Sequence, residues 1–363
     1  MYTQTLRETL GGLRLGKALA EGPLSILPLR AKTEVKARYV LLEKAIERGR
    51  LTITEVDDAG SVPYLVARNR GPWPVLVFDG EELVGAKQNR IANATILVGV
   101  GKTVLPVSCV EQGRWSPRSH AFSAGGYASH PSLRSLKERQ VREASLAASA
   151  QEQRGPVPGR TARAVAPDFR AETAQEVRAE RFRSKQGEVW EEVEKTVRAL
   201  KAHAPTRAMA DSYEAGRDEV ERLMAAFSSD SLFAAADAVG AVVFWDGDLV
   251  CLDLLQPAKR FRQFYPKLLR GYAFEALMHS KLSARSGDNP DGKAGATTKA
   301  RKDFDAEAST LRLLAEILEA GVSEQAGVDL GEDLRLENER VSGAGLVWER
   351  ELIQLSVFPR KAV

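Results

Sequence analysis

The stretch NRIANATILVGVGKTVLPVSCVEQGRW, residues 89–115, decides the reading of the N-terminal third. Two runs rich in Ile, Val, Leu and Thr flank Gly99-Val100-Gly101, a pattern that fits strands joined by a glycine turn and not a helix. A hairpin turning there pairs residues whose numbers sum to about 201, which sets Asn89, Arg90 and Asn93 opposite the segment 108–112. The letters VGVGKT do not form a phosphate loop. That motif needs glycine where Ile96 stands, and a helix after Lys102 where this chain continues as a strand.

The same texture extends upstream through LSILPL, YVLL, LTITEV, VPYLVA and PVLVFD, punctuated by DDAG, NRGPWP and DGEE. Such runs predict an antiparallel sandwich or barrel-like sheet, interrupted by one helix from Leu41 that stops at Gly49. From about Ser132 the chain turns rich in Ala, Glu and Arg, which predicts helix. RGPVPGRTARAVAP reads as a mobile loop near 154–170. One helix is expected over AETAQEVRAERFRSKQGEVWEEVEKTVRALKAH, with Val189, Trp190, Val193, Val197 and Leu200 close to one stripe, and another over 211–227. GAVVFWDGDLVCLDLL is a hairpin about Asp246-Gly247. After it come the helix FRQFYPKLLRGYAFEALMHSKL, the exposed loop SGDNPDGKAGATTKA, a last helix, and strands that rejoin the first sheet. The expected fold class is α+β. Its parts are a β-rich 1–131 with the polar motifs, a helical 132–230, and an α/β 231–363 compact with the N-terminal sheet.

At 363 residues, with 44% hydrophobic and 28% charged residues, the composition is that of a globular protein with room for one large core or two. A formal charge of +3 is too mild to argue for nucleic acid or membrane. No stretch approaches the roughly 18 apolar residues of a membrane span. The two cysteines, Cys109 and Cys251, suit a reduced, cytoplasmic protein. Between Arg114 and Arg163 nine Arg/Lys stand against three Glu, which fits either a phosphate-facing surface or a solvated helix face.

The densest polar signal joins DGEELVGAKQNR to VEQGRW. Glu82 and Glu111 are candidate general acids or bases, and Cys109 a candidate nucleophile. Alternation places Cys109 on the face of Val107 and Glu111, where a thiol equally packs as a small hydrophobe. Arg90 and Arg114 suit a phosphate, Gln88, Asn89 and Gln112 suit sugar or base edges, and Trp115 offers a stacking face. The alternative for Glu82, Arg90, Glu111 and Arg114 is a buried ion-pair network tying the sheet to the helices. His120 and His130 flank AFSAGGYAS, either entering the same site or lying in a surface loop. No histidine or cysteine spacing indicates zinc, and Asp79, Glu81, Glu82 and Glu111 do not by number define a magnesium site. No cofactor is named by any of these patterns.

GEELVGAKQNRIANATILV, PVSCVEQGRW, QGEVWEEV, APTRAMADSY, AVVFWDGDLVCLDLL and KLLRGYAFEAL, in that order, resemble the ARG and Rhodanese-Phosphatase-superfamily-associated protein domain family. The family is an uncharacterised prokaryotic domain named for its association with ADP-ribosylglycohydrolases and rhodanese-phosphatase proteins. Its polar motifs fall on Glu81, Glu82, Gln88, Asn89, Arg90, Cys109, Glu111, Gln112, Arg114 and Trp115, and it carries glycine where this chain has Arg207. That difference leaves the segment open as a pocket loop or as a helix start capped by Thr206 or Asp211. The resemblance implies binding or processing of an ADP-ribose-like or other nucleotide ligand. The alternatives are a non-catalytic module partnering an ADP-ribosylglycohydrolase-type or phosphatase enzyme, or an RNA-binding accessory protein.

Overall fold

The computed structural model describes residues 2–33, 35–57, 60–153, 167–227, 237–286 and 304–360. The chain opens with α1 (Tyr2–Gly11), β1 (Leu13–Leu15), β2 (Leu19–Glu21), β3 (Leu24–Ala31), β4 (Val40–Leu41), α2 (Leu42–Glu47), β5 (Leu51–Glu55), β6 (Tyr64–Asn69) and β7 (Val75–Val77). The motif strands follow as β8 (Glu81–Gly85), β9 (Arg90–Ala92), β10 (Ile96–Val98), β11 (Gly101–Cys109) and β12 (Phe122–Ala128). Next come the helices α3 (Pro131–Gln153), α4 (Pro167–Glu180), α5 (Gln186–Leu200), α6 (Met209–Ala215) and α7 (Arg217–Phe227). The last part holds β13 (Ala238–Trp245), β14 (Asp248–Leu255), α8 (Ala258–Ser286), α9 (Ala306–Glu319), β15 (Gly321–Ala326), β16 (Glu332–Glu337), β17 (Val341–Trp348) and β18 (Glu351–Pro359).

The fold is α+β. A large antiparallel sheet runs β1-β3-β13-β14-β18-β17-β16-β15, with β2 also paired to β3. Leu24, Ile26, Val243, Cys251 and Ile353 pack with Phe261, Phe264, Leu268 and Tyr272 of α8. Leu27, Leu29, Val242, Phe244, Leu252 and Leu254 pack with Leu6 and Leu10 of α1 and Leu313 and Ile317 of α9. Burial on both faces explains why GAVVFW is continuously apolar instead of alternating. Its hairpin turns at Asp246 and Gly247, both at positive φ (+49° and +85°), the backbone of a two-residue type I′ turn.

The second sheet, β12-β8-β9-β11-β6-β5, curls into a half-barrel around Ile53, Leu65, Ala67, Leu83, Leu105 and Val107, and the small sheet β10-β7-β4 packs on the same core. The C-terminal strands thus join β3 and not the strands that carry the polar motifs. Helix α8 lies against both β13 and β12 and is shared by the two sheets.

The expected hairpin about Gly99 is corrected. Ile96–Val98 leaves β11 and pairs with β7, while β11 pairs with β6 over 101–106 and with β9 over 107–109. Cys109 therefore stands opposite Arg90, and Ser108 opposite Ile91. The strand departs at Asn93 and Thr95, where Thr95 Oγ1 accepts from the Asp79 amide (3.1 Å), and all three residues of β10 become buried. The single helix expected over 171–203 is two, α4 and α5, broken at 181–185 where Phe182 enters the core and its carbonyl accepts from Asn93 Nδ2 (3.0 Å). The helix over 211–227 divides at Gly216, where a Cβ would lie 2.7 Å from Leu277 of α8. Residues 154–166 of the expected loop lie outside the described residues, and from Pro167 the chain is helical. Nearly all of SGDNPDGKAGATTKA also lies outside them.

Two cations of the Arg-rich segment face inward. Arg134 is fully buried and holds Asp253 bidentately (2.8 and 2.6 Å), Asp79 (3.2 Å) and Ser356 (2.7 Å), while Lys137 bonds Asp79 (2.7 Å). This network joins β14, the turn before β8, and α3. Among the described residues no helix is long and apolar enough to cross a membrane.

Candidate functional site

The polar motifs converge at the end of β11, where β9 and the loop after Cys109 meet. Glu111 is locked. Arg114 Nε and Nη2 bond its two oxygens (2.8 and 2.6 Å), the Asn89 amide donates to Oε2 (3.0 Å) and Thr206 Oγ1 to Oε1 (2.9 Å). Burial alone would raise its carboxyl, but these bonds to Arg114, Asn89 and Thr206 hold it below the ordinary range. The remaining Arg114 donors go to the Ala86 and Ser116 carbonyls (2.6 and 2.9 Å) and Asn89 Oδ1 (3.3 Å). Both partners are spent on each other and on the loops.

The segment before α6 docks on this cluster through its backbone. Gly113 donates to the Thr206 carbonyl (2.7 Å) and Met209 to the Val110 carbonyl (2.9 Å). Ala208, without a side-chain bond, is the residue that begins the helix, so neither Thr206 nor Asp211 caps it. Arg207 has φ +52°, a left-handed conformation that favours glycine, and its Nη1 donates to Gln112 Oε1 (3.1 Å).

Glu82 is buried, and no cation among the described residues is in an ion pair with it. Its Oε1 accepts from Tyr127 Oη (2.7 Å) and Asn89 Nδ2 (3.3 Å), while burial pushes its carboxyl up to about 7 against those two bonds. Tyr127 is held by stacking on Tyr213 (3.9 Å, 3°), which stacks on Phe274 in turn (3.9 Å). Adjacent Glu81 instead bonds Lys267 of α8 (2.9 Å).

Arg90 is the exception to this mutual satisfaction. It is wholly buried, and Nη1 donates to Gln88 Oε1 (2.7 Å), while Nε and Nη2 have no hydrogen-bond partner among the described residues. Burial lowers its affinity for its proton, opposed by Cys109 and Glu55 nearby. Cys109 Sγ lies 3.1 Å from the same Gln88 oxygen, and burial pushes the thiol up despite Arg90, so the sulfur is a neutral thiol. Gln186 of α5 bonds both the amide and the carbonyl of Cys109 (2.8 Å each), as a neighbouring strand would. Trp115, 48% exposed, lies over this end with Arg90 Cζ 5.8 Å and Lys87 Nζ 5.3 Å from its ring centre.

The register separates two candidate chemistries. Residues paired across strands share a face: Leu83, Arg90 and Cys109 point one way, Glu82, Ile91 and Ser108 the other. Arg90 and Cys109 thus share the inner face of the half-barrel, with Gln88 bonded to both and Trp115 beside Arg90, and Glu82 sits on the outer face against Tyr127. Asn89 links the two through Glu82 and Arg114. His120 is exposed, whereas His130 is buried against Phe274 with Nε2 3.7 Å from Glu192, and so is no surface-loop residue. Among the four carboxylates, Asp79 goes to Arg134 and Lys137 and Glu81 to Lys267, while Glu82 and Glu111 share Asn89 as a donor.

Tyr127, Gln186 and Lys267 escaped the sequence reading, and Thr206, expected as a helix cap, bonds Glu111 instead. Only Tyr127 left a signal: Gly125, two residues before it, sits where a Cβ would lie 2.4 Å from Glu82 Oε2, and a glycine pair inside a strand marks such a close approach.

No curated protein and no solved structure matches the chain. One family description matches residues 12–358, from before the half-barrel to the last strand. The chain belongs to the ARG and Rhodanese-Phosphatase-superfamily-associated Protein domain family.

Proposed function

We propose that the chain binds a phosphate-bearing ligand of the nucleotide or ADP-ribose class at the inner face of the half-barrel, with Arg90 as its anion partner. One observation carries the reading: a wholly buried guanidinium with two unpartnered donors and no described carboxylate in an ion pair with it. Burying a charge without a partner costs several kcal/mol, and an anion accepting from Nε and Nη2 offsets that cost. Trp115 is the cover: a ligand reaching Arg90 displaces its ring, which then stacks on a base or sugar face. Gln88 orients the guanidinium. Binding without turnover is the expectation at this position, because the neutral Cys109 thiol is not activated and Glu82 lies across the sheet.

Thermal unfolding with ADP-ribose, ADP and inorganic phosphate tests this. Ligand at about 100 times its dissociation constant adds about 2.7 kcal/mol, with a change in Trp115 fluorescence. The shift is lost in Arg90→Met. A shift that survives Arg90→Met places the ligand elsewhere; no shift with any of the three removes the reading.

A second reading, a non-catalytic module partnering an enzyme, is favoured by the mutual saturation of Glu111 and Arg114, which serve the loops instead of a substrate. It predicts a complex whose affinity ignores Arg90→Met.

A further inference from the structure

The opposite end of strands β5, β6 and β11 carries a cationic surface that the Arg90 site does not use. Arg38, Arg48, Arg50, Arg68 and Arg70 are all exposed there. None makes a side-chain hydrogen bond or ion pair with a described residue. They are brought together by the ladder: Arg68 stands between Thr52 and Lys102, and the Arg70 amide donates to the Arg50 carbonyl (2.8 Å). Arg50 also flanks Gly71, and Arg38 lies over the Trp73 ring (6.0 Å). Trp73 is 41% and Val100 68% exposed. The nearby carboxylates are engaged elsewhere, Glu47 with Lys44 (2.7 Å) and Asp329 with the Gly99 amide (2.9 Å) and Thr103.

We propose that this rim docks an acidic, carboxylate-bearing segment of a partner protein. Like charges gathered without counterions among the described residues repel, and a run of carboxylates relieves that repulsion along the rim. The composition is that of a protein interface: arginine and tryptophan are enriched at such contacts and supply most of their hot spots. Guanidinium forks match carboxylates bidentately, and Val100 beside them offers an apolar seat. Single-stranded nucleic acid is disfavoured because its binders stack successive bases on several aromatics, and this rim exposes one, already covered on one side by Arg38. The surface lies at the other end of the strands from Arg90 and stands independently of the ligand reading.

The test uses the full chain and fluorescence anisotropy. The probes are a fluorescein-labelled peptide of alternating Glu and Leu and a fluorescein-labelled oligo(dT) of equal formal charge, both at low and physiological salt. Expected are binding of the peptide in preference to oligo(dT), about a tenfold loss of affinity in Arg50→Ser/Arg70→Ser and again in Trp73→Ala, and no change in Arg139→Ser, an exposed arginine on α3. Unfolding temperatures of the variants check that the fold is kept. The proposal is overturned if the peptide does not bind, if Arg139→Ser weakens it as much as the rim variants do, or if oligo(dT) binds more tightly.

Discussion

Replacing Glu82 with glutamine isolates the most perturbed carboxyl of the half-barrel. Burial pushes Glu82 from the ordinary 4.5 to about 7. Between those values the folded chain keeps a proton that the unfolded chain has released. The stability contributed by this group is therefore present below pH 4.5, falls as pH rises, and is lost above about 7. The distance from 4.5 to about 7, at about 1.4 kcal/mol for each pH unit, amounts to about 3 kcal/mol. Glu82→Gln keeps the acceptor for Tyr127 and Asn89 but cannot ionise. Urea unfolding at intervals from pH 4.5 to 8.5 should then give two curves that meet at the acid end and diverge with pH. The variant should be the more stable by about 3 kcal/mol above pH 7.5. Subtracting the curves removes every other titrating group. Parallel curves would refute the reasoning, because they would mean that Glu82 ionises as a solvated carboxyl and that the Tyr213 and Phe274 stack does not seal it.

Four further outcomes follow from the site. Without ligand, Arg90→Met should be neutral or stabilising by about 1–4 kcal/mol in urea, since it removes a buried charge with open donors and keeps the volume. Glu111→Ala leaves Arg114 buried and unpaired and should cost about 3–5 kcal/mol in the same assay, whereas Glu111→Leu/Arg114→Met should cost much less. Gly125→Ala, with its Cβ 2.4 Å from Glu82 Oε2, should destabilise by about 1–3 kcal/mol and alter the pH profile of Glu82. Cys109 and Cys251, both buried, should react with a water-soluble disulfide reagent only at the rate of unfolding, checked by absorbance with and without urea.

The elements legible in the sequence were those whose signal is local. The Asp246-Gly247 hairpin announces itself because only certain residues accept its two positive φ values, and the stop at Gly49 (φ +63°) has the same origin. The pairing of 90–92 with 107–109 was legible to within a small register error, because the intervening length limits the choices. The path of 96–98 was not: Ile96, Leu97 and Val98 suit any strand neighbour, and only the position of β7, set by distant packing, selects one. The composition of the site could be read, but not its division. Glu82 and Arg90 look like partners in a list of polar residues, and the pleat sends them to opposite faces. The basic bias between 114 and 163 was legible as a number and misleading as a surface, since Arg134 and Lys137 find Asp253 and Asp79 across 119 and 58 residues of chain.

The seat of β3 in a sheet completed by β13, β14 and β18 has a consequence for how the chain is made. One edge of Leu24–Ala31 is covered at once by β1 and β2, but the other waits for residues 238–245. At a synthesis rate of about 5–20 residues per second, the ribosome needs roughly 10 to 40 s to deliver them. From residue 128 onward the half-barrel has all of its strands, and beside it hangs an apolar strand with one open edge. A chain of this design depends on a holding chaperone, or on rapid closure of the half-barrel beside it, more than its final stability would suggest. Its yield should respond to translation speed between residues 130 and 245 more than to speed anywhere else.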